Sequence, residues 1–581
     1  MYVPMLLILF TVAISIGYAI SYPHGSFPDE FNHVGYIYDV ISNNFPDYKY
    51  GKDVSSGKLN YLDHPALYYF LTGEIIKIFS LEKYYIDSSR YINLFLSLGI
   101  VLVVIKTLRL VTKSEFVIFI SCALLIIIPM FSVLSVAVNN DIINILGCAI
   151  SVYGFVSITR PSVDQSSSDW AIKSICIGSI LAALSKATGS LAILCMFLSI
   201  TLFHFSMVKR IVKGISFKQW GVILFSVLIV AIYYVFIYKT YGSFFPAPQS
   251  NPATWYAVDH PDATRFDFYN FIMYFYNANI RSLTTPYGHV FFDDINIRVL
   301  LLKVVLINLC IMSIVVGMNF FSKKSEKNNV IFSLVCSFIL YIIIYYCTIR
   351  SLHLKTGYLG AMQARYFFGF LPVFCLIMCK GFSYIKSYFV RAVIALAILF
   401  SLVLSFYPAY VNILNEKRLK SIYFIEQPFK SVAYSMLLKG HSFEQTIIAK
   451  TNSIMGCELF LSTFGRTPQG ALVLFLLDDS GKVITTTSIQ MGSIQDNSYA
   501  WFDLSSTKLI KDDKYKLRLI CDECITVENS VTWLASDIID ENILFSSTNK
   551  GPGMLGGYLY GSAFVDDVKK DGDFTFKIYF N

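Results

Sequence analysis

Ser26-Phe27-Pro28-Asp29-Glu30-Phe31-Asn32-His33 follows an apolar run from Val3 to Ile20. That run is long enough to cross ~30 Å of hydrocarbon. Two adjacent carboxylates and a histidine therefore stand at the mouth of the first membrane helix. A helix restarting at Pro28 puts Asp29 four residues and Glu30 three residues before His33, so both pairs share one face. Such a trio can hold a proton, a cation or a hydroxyl. A plainer reading makes Ser26 an N-cap with Asp29 in the first turn, where the helix dipole favours an acid by roughly a few tenths of a kcal/mol. That accounts for one carboxylate and leaves the other acid and the histidine unexplained.

The rest of the chain sets that octapeptide in a membrane protein. The 581 residues are 55% hydrophobic and only 15% charged, against roughly a quarter charged in a soluble protein. The apolar residues fall in blocks of about 20 that are nearly free of charge. Eleven spans are expected, near 3–21, 91–109, 115–135, 142–158, 172–185, 188–205, 219–238, 299–320, 330–348, 366–380 and 391–409. Basic residues collect on alternate connections: Lys106, Arg109 and Lys113; Arg160 and Lys173; Lys209, Arg210, Lys213 and Lys218; Lys323, Lys324 and Lys327; Lys380, Lys386 and Arg391. The positive-inside rule puts these in the cytoplasm and Asp29 outside. The net charge of +8 reflects this topology and calls for no nucleic acid. The first segment has no basic n-region and no clear small-x-small cleavage site, so it is expected to stay as an anchor.

Three parts are expected: a transmembrane part over 1–410 with external loops 22–90 and 239–298, a linker over 411–450, and an outer β-sandwich over 451–581. In the first loop, Asp63 can cap a short helix that Pro65 suits in its first turn. That helix carries Glu74 and Lys77 and fits the membrane interface better than a span. After Tyr407-Pro408 come short alternating runs, among them Cys457–Ser462, Ala471–Leu477, Val483–Thr487, Tyr515–Ile520, Val531–Leu534, Tyr558–Tyr560 and Phe574–Tyr579. Turn signals such as Asp478-Asp479-Ser480-Gly481 separate them, the pattern of a jelly-roll-like antiparallel sandwich. Such modules often bind carbohydrate, but fold alone names no ligand. Of twelve cysteines, nine lie in expected spans as small apolar residues. Cys521-Asp-Glu-Cys524 can close a small disulfide in an oxidising compartment, and no second Cys-x-x-Cys or spaced His suggests zinc.

More polar positions share the expected outer side: His64, Tyr68 and Tyr69; Asn139, Asn140 and Asp141; Lys186; and Gln363, Arg365 and Tyr366 after Arg350, His353 and Lys355. Polar residues collect at helix ends, so each alone is ordinary. Together they make a ring of acids and bases at one membrane face. In order, Pro28-Asp29-Glu30-x-x-His33, His64-Pro65-x-Leu67-Tyr68-Tyr69, Asn139-Asn140-Asp141, Lys186-x-Thr188-Gly189 and Gln363-x-Arg365-Tyr366 resemble motifs of the GT-C superfamily, membrane glycosyltransferases that take sugar from a polyprenyl-phosphate lipid. The resemblance spans about residues 1–410, with Ala66 where many relatives have a second proline.

The resemblance implies a GT-C-like bundle, an enzyme, and a first-loop acid as catalytic base. The chemistry agrees, because an acceptor hydroxyl must lose its proton as it attacks the anomeric carbon. Asp29 is the expected base, with Glu30 and His33 positioning acceptor or cation. Asp29 and Glu30 are also the candidate ligands for a divalent cation, Mg or Mn. Lys186, Arg365 and Gln363 are the candidates for the donor phosphate. His64, Tyr68, Tyr69, Asn140 and Asp141 are the candidates for substrate, and Trp255 and Tyr256 could stack on sugar. The expected partners are a polyprenyl-phosphate-linked sugar, a glycan or lipid-linked saccharide acceptor, and the lipid bilayer. The expected place is the bacterial plasma membrane, with the site facing out. The rivals are a polysaccharide polymerase or ligase, and a lipid-saccharide flippase. Transport sites favour ionisable groups near the bilayer midplane, whereas these sit at span ends.

Overall fold

The computed structural model describes residues 2–21, 27, 30–43, 64–159, 165–242, 244, 265–284, 330–360, 362–385, 387–393, 396, 400, 423–427, 435–449, 451–464, 466, 468–494, 496, 498–536, 563–570 and 573–580. Asp29, Asp63, Trp255, Tyr256, Tyr558, the expected span at 299–320, most of the span at 391–409 and most of the 239–298 loop lie outside them.

The helical part opens with α1 (Tyr2–Ser21), α2 (Glu30–Asn43) and α3 (Leu67–Ile78). At twelve residues α3 is too short to cross a bilayer, and it buries Tyr68, Tyr69, Thr72, Gly73 and Ile76. Next comes α4 (Tyr85–Arg109), with Asp87 in its first turn and Lys106 and Arg109 in its last, which suits the helix dipole. The expected span 115–135 is two helices, α5 (Glu115–Ile127) and α6 (Pro129–Leu134). Pro129 has no N–H to continue a helix but fits the first position of a new one.

Helices α7 (Asp141–Ile158) and α8 (Gln165–Ala183) pack backbone to backbone. A Cβ at Gly147 would lie 2.6 Å from Ala182 N and 2.7 Å from Gly178 O, so only glycine allows this approach. The start of α8 is earlier than expected because Asp169 and Lys173 join the helix as an i,i+4 pair at 2.6 Å. Leu184, Ser185 and Lys186 separate α8 from α9 (Ala187–Phe203), which turns by 104° into α10 (Phe205–Gly214). Then comes α11 (Phe217–Tyr241), started by a Ser216–Gln219 capping box and stopped by Gly242 at φ 72°. The helices α12 (Phe268–Thr284), α13 (Val330–Thr356) and α14 (Leu371–Tyr384) follow, α14 entered through a 3₁₀ segment, Ala364–Phe370.

Among the described residues five stretches are long and apolar enough to cross a membrane: Tyr85–Arg109, Asp141–Ile158, Phe217–Thr240, Val330–Thr356 and Ala364–Phe382. The bent pair α9–α10 makes a sixth, and α1 and α5 are shorter apolar helices. The chain is a multi-pass membrane protein, though the expected eleven spans are not all met among the described residues.

The C-terminal part is antiparallel β. Its strands are β1 (Tyr423–Gln427), β2 (Ser442–Ile448), β3 (Ser453–Ser462), β4 (Ala471–Asp478), β5 (Val483–Gln490), β6 (Ser498–Lys508), β7 (Lys514–Ile520), β8 (Thr532–Trp533), β9 (Ala535–Ser536), β10 (Ala563–Val565), β11 (Val568–Lys569), β12 (Asp573–Phe574) and β13 (Phe576–Phe580). One sheet runs β1-β13-β3-β6 with β8 added to β3; the other runs β11-β10-β2-β7-β4-β5; β12 and β9 pair apart. Phe443, Leu459, Leu474, Phe502, Leu517 and Trp533 belong to one buried core. Two strands fall in the stretch expected as linker: β1, and β2 inside the second sheet. Buried polar residues hid β2, since Gln445 is fully buried and Glu444 is met by Arg518 at 2.7 Å and Lys516 at 3.2 Å. Cys521 and Cys524 form the expected disulfide.

Candidate active site at one end of the helical bundle

The first turn of α2 supplies Glu30, which is 1% exposed. Its carboxylate receives a fork from α4: Arg90 Nε donates to Oε1 at 2.9 Å and Nη2 to Oε2 at 2.8 Å. Arg90 also donates to Ala19 O at the end of α1 (3.3 Å) and lies over the Phe27 ring at 4.7 Å. Val138 N–H donates to Glu30 Oε1 at 3.3 Å. One ion pair thus ties the ends of α1, α2 and α4 to the turn before α7. Both oxygens of Glu30 are engaged by Arg90, a poor fit to a cation ligand. Among the described residues no three His, Cys, Asp or Glu side chains cluster as a metal site.

One turn along α2, His33 is also buried, but it faces other partners. Its Nδ1 is 2.7 Å from Tyr69 Oη, and His64 Nδ1 is 3.3 Å from the same oxygen. Tyr36 stacks on Tyr69 with centroids 3.9 Å apart, and Tyr68 meets it edge-on at 5.2 Å. A phenol both donates and accepts, so Tyr69 can link the two histidines. Glu30 and His33 are each buried.

The turn that touches Glu30 leads into the next group. Asn139 Oδ1 accepts from Asp141 N–H at 2.8 Å, opening α7. Asn140 donates to Ser185 O at 2.7 Å and so holds the α8–α9 break. Asp141, fully buried, then receives two cations: Lys186 Nζ at 2.6 Å from Oδ1, and Arg365 Nε at 3.7 Å from Oδ2. Tyr366 lies beneath both, 4.9 Å from Lys186 Nζ and 5.5 Å from the Arg365 guanidinium carbon. Gln363 opens the 3₁₀ segment, its backbone carbonyl accepting from Tyr366 N–H at 3.1 Å, and Tyr341 Oη donates to Tyr366 O at 2.7 Å.

An apolar cavity of about 840 Å³ lies between α7, α8, α9, α10 and α11. Phe155, Ile172, Phe197, Val208, Trp220 and Tyr234 are among its walls. Ala183 and Ser190, which flank Lys186 in sequence, also line it, and Tyr234 Oη donates to Ala183 O at 2.9 Å.

The candidates His33, His64, Tyr68 and Tyr69 are brought together, and so are Asp141, Lys186 and Arg365. Arg90 and Tyr36 were not foreseen. Arg90 sits where the first external loop was expected to meet a span, and there it read as a boundary. A lone cation beside an acid-bearing loop was the available signal.

Residues 42–243, about a third of the chain, match the family model described as dolichyl-phosphate-mannose-protein mannosyltransferase. Over those residues the chain is similar to that family. Among solved structures, the chain is similar to ArnT from Cupriavidus metallidurans bound to undecaprenyl phosphate (12% identity, TM-score 0.42, 67% of this chain and 62% of that one). It is also similar to the Archaeoglobus fulgidus oligosaccharyltransferase tethered to an acceptor peptide (14% identity, TM-score 0.39, 70% and 55%). The chain thus spans less than two thirds of the length of either protein. A search of the curated proteins finds no match.

Proposed function

We propose that the protein is an inverting glycosyltransferase that moves one sugar from a polyprenyl-phosphate donor to an extracytoplasmic glycan or lipid-linked saccharide. The carrying observation is the meeting of buried Lys186 and Arg365 on Asp141, with an apolar cavity whose walls include Ala183 and Ser190, on either side of Lys186 in sequence. A polyprenyl phosphate combines the two chemistries found there: a long hydrocarbon and a phosphate that needs cations. Arg365 suits two phosphate oxygens and Lys186 a third. Asp141 keeps both side chains aimed until the donor arrives, and the same cations then stabilise the leaving phosphate.

In this reading Asp29 takes the proton from the acceptor hydroxyl as it attacks the anomeric carbon. Glu30, next to it in sequence, is fixed by Arg90. His33 on α2, His64 just before α3 and Tyr69 on α3 form a linked wall. The basic connections support an outward-facing site in a bacterial plasma membrane, and the Cys521–Cys524 disulfide suits an oxidising compartment.

The test is transfer from a purified polyprenyl-phosphate sugar to acceptor in detergent. Lys186→Ala and Arg365→Ala should raise the donor KM more than they lower kcat. Unchanged donor use by both variants sinks the assignment. Lipids of cells lacking the protein should accumulate a polyprenyl-phosphate monosaccharide, whose sugar names the donor.

A further inference from the structure

Along β6, Ala500, Phe502 and Leu504 are buried, whereas Tyr499, Trp501 and Asp503 alternate with them on the outward face. Opposite them on β3 stand Phe460, Glu458 and Gly456, paired with Tyr499, Trp501 and Asp503 respectively. Strand β13 brings Tyr579 opposite Gly456. Trp501 is 44% exposed.

The indole is held in place. A Cβ at Gly456 would lie 2.5 Å from one indole carbon and 2.6 Å from another, so the ring lies down on the glycine backbone. Tyr579 abuts it with centroids 5.4 Å apart and planes 56° apart. A tryptophan fixed in one orientation loses little further entropy when something stacks on it. Its rim is acidic. Glu458 stands directly across and accepts from Tyr579 Oη at 2.8 Å. Asp503, two residues along the strand, accepts from Ser505 N–H at 2.9 Å. The Ser505 backbone and hydroxyl hold that carboxyl below the usual carboxylate range. Ionised carboxylates only accept hydrogen bonds. The face therefore suits a ligand with a flat C–H surface for the ring and hydroxyl donors around its edge, which is the chemistry of a pyranose.

We propose that Trp501, with Glu458 and Asp503 at its rim, is a saccharide-binding platform: one sugar ring stacks on the indole and donates its hydroxyls to the two carboxylates. In register, Lys577 of β13 stands between Glu458 and Glu426 of β1, so carboxylates outnumber the cation and disfavour an acidic sugar, and the ligand is neutral or amino-substituted. The assignment is independent of the donor chemistry proposed for the helical part.

The experiment uses the full-length protein in detergent on an array of neutral, amino-substituted and acidic oligosaccharides. Retention is expected on neutral or amino-substituted spots. Trp501→Ala should cut it about tenfold, close to 1.4 kcal/mol, and Trp501→Phe should restore part of it. Glu458→Gln and Asp503→Asn should weaken it severalfold. Circular dichroism melts should show Trp501→Ala folded. Three results would overturn the proposal: no retention on any spot, retention unchanged in Trp501→Ala, or equal retention on acidic spots. A Trp501→Ala effect seen only as lost self-association in light scattering, without sugar retention, also overturns it and gives the face to a second copy of the chain.

Discussion

Arg90 and Glu30, sixty residues apart in the chain, meet as a buried two-pronged ion pair, 2.9 and 2.8 Å across its two hydrogen bonds. Neither side chain is more than 2% exposed. Two parallel bonds fix orientation as well as distance. The pair therefore sets the angle at which the first turn of α2 leaves the bundle.

Arg90→Ala should be strongly destabilising. It leaves the Glu30 carboxylate buried with its main partner gone, a loss of about 3–5 kcal/mol. Arg90→Lys keeps the charge but not the fork, so it should recover only part of the stability. Thermal melts in detergent check both. A Lys variant as stable as the parent would mean that charge alone matters there, not the two-pronged geometry.

This pair also marks how far the residues could be read in advance. The spans around α4, α7, α9, α11 and α13 were legible because apolar blocks free of charge have one physical explanation. Lys186 and Asp141 were legible as polar residues at span ends. Their mutual contact was not, because they are forty-five positions apart. Pro129 was a visible breaker that the apolar content around it concealed. In the β part, β6 carries aromatic residues on both faces: Phe502 inward, Tyr499 and Trp501 outward. The two-residue apolar alternation that reveals β3 and β4 is blurred there. Strand β2 was lost for the opposite reason, since Glu444 and Gln445 are polar yet buried.

The Cys521–Cys524 link closes a loop with a sequence separation of only 3. Chain entropy gives such a loop well under the ~3 kcal/mol of a 15-residue one. Both sulfurs are buried, and Cys524 Sγ lies 3.7 Å from Met491 Sδ. The expected result is that iodoacetamide labels neither cysteine until the protein is unfolded and reduced. Cys521→Ser with Cys524→Ser should lower the melting temperature by only a few degrees. Labelling of the native, unreduced protein at either position, read by mass spectrometry, would show the thiols free.

Two exposed carboxylates give the β part an acid limb. The Ser480 hydroxyl and then the Lys482 N–H hold Asp478 below the usual carboxylate range, and the Ser505 N–H and hydroxyl do the same for Asp503. A carboxyl with a lowered folded pKa binds fewer protons folded than unfolded. Its stabilisation is therefore complete above the unfolded value, about 3.9, and is lost as pH falls through the folded value. Unfolding of the β part should be insensitive to these two groups near neutral pH and turn sensitive below about pH 4. Asp478→Asn combined with Asp503→Asn should flatten that limb. Identical acid limbs in variant and parent would remove both groups from it.

The most discriminating prediction concerns Asp29, which precedes the anchored Glu30. As general base it must be ionised before reaction and reach the acceptor hydroxyl. Asp29→Asn keeps the shape and removes the basicity, so transfer should fall by roughly 10²–10⁴-fold, the usual size of this contribution. Donor binding should survive, because Lys186 and Arg365 remain. Glu30→Gln keeps the outline of the Arg90 contact but removes its charge, so its main effect should be on stability, with a smaller loss of turnover. Arg365→Ala should show the converse of Asp29→Asn, with weaker donor binding. The measurement is transfer from a purified polyprenyl-phosphate sugar in detergent, each variant first checked by size exclusion. A larger turnover loss in Glu30→Gln than in Asp29→Asn, at equal folding, would exchange the two roles. Near-normal turnover in both would take the first-loop acids out of the chemistry and move a lipid-saccharide transporter ahead of the transferase.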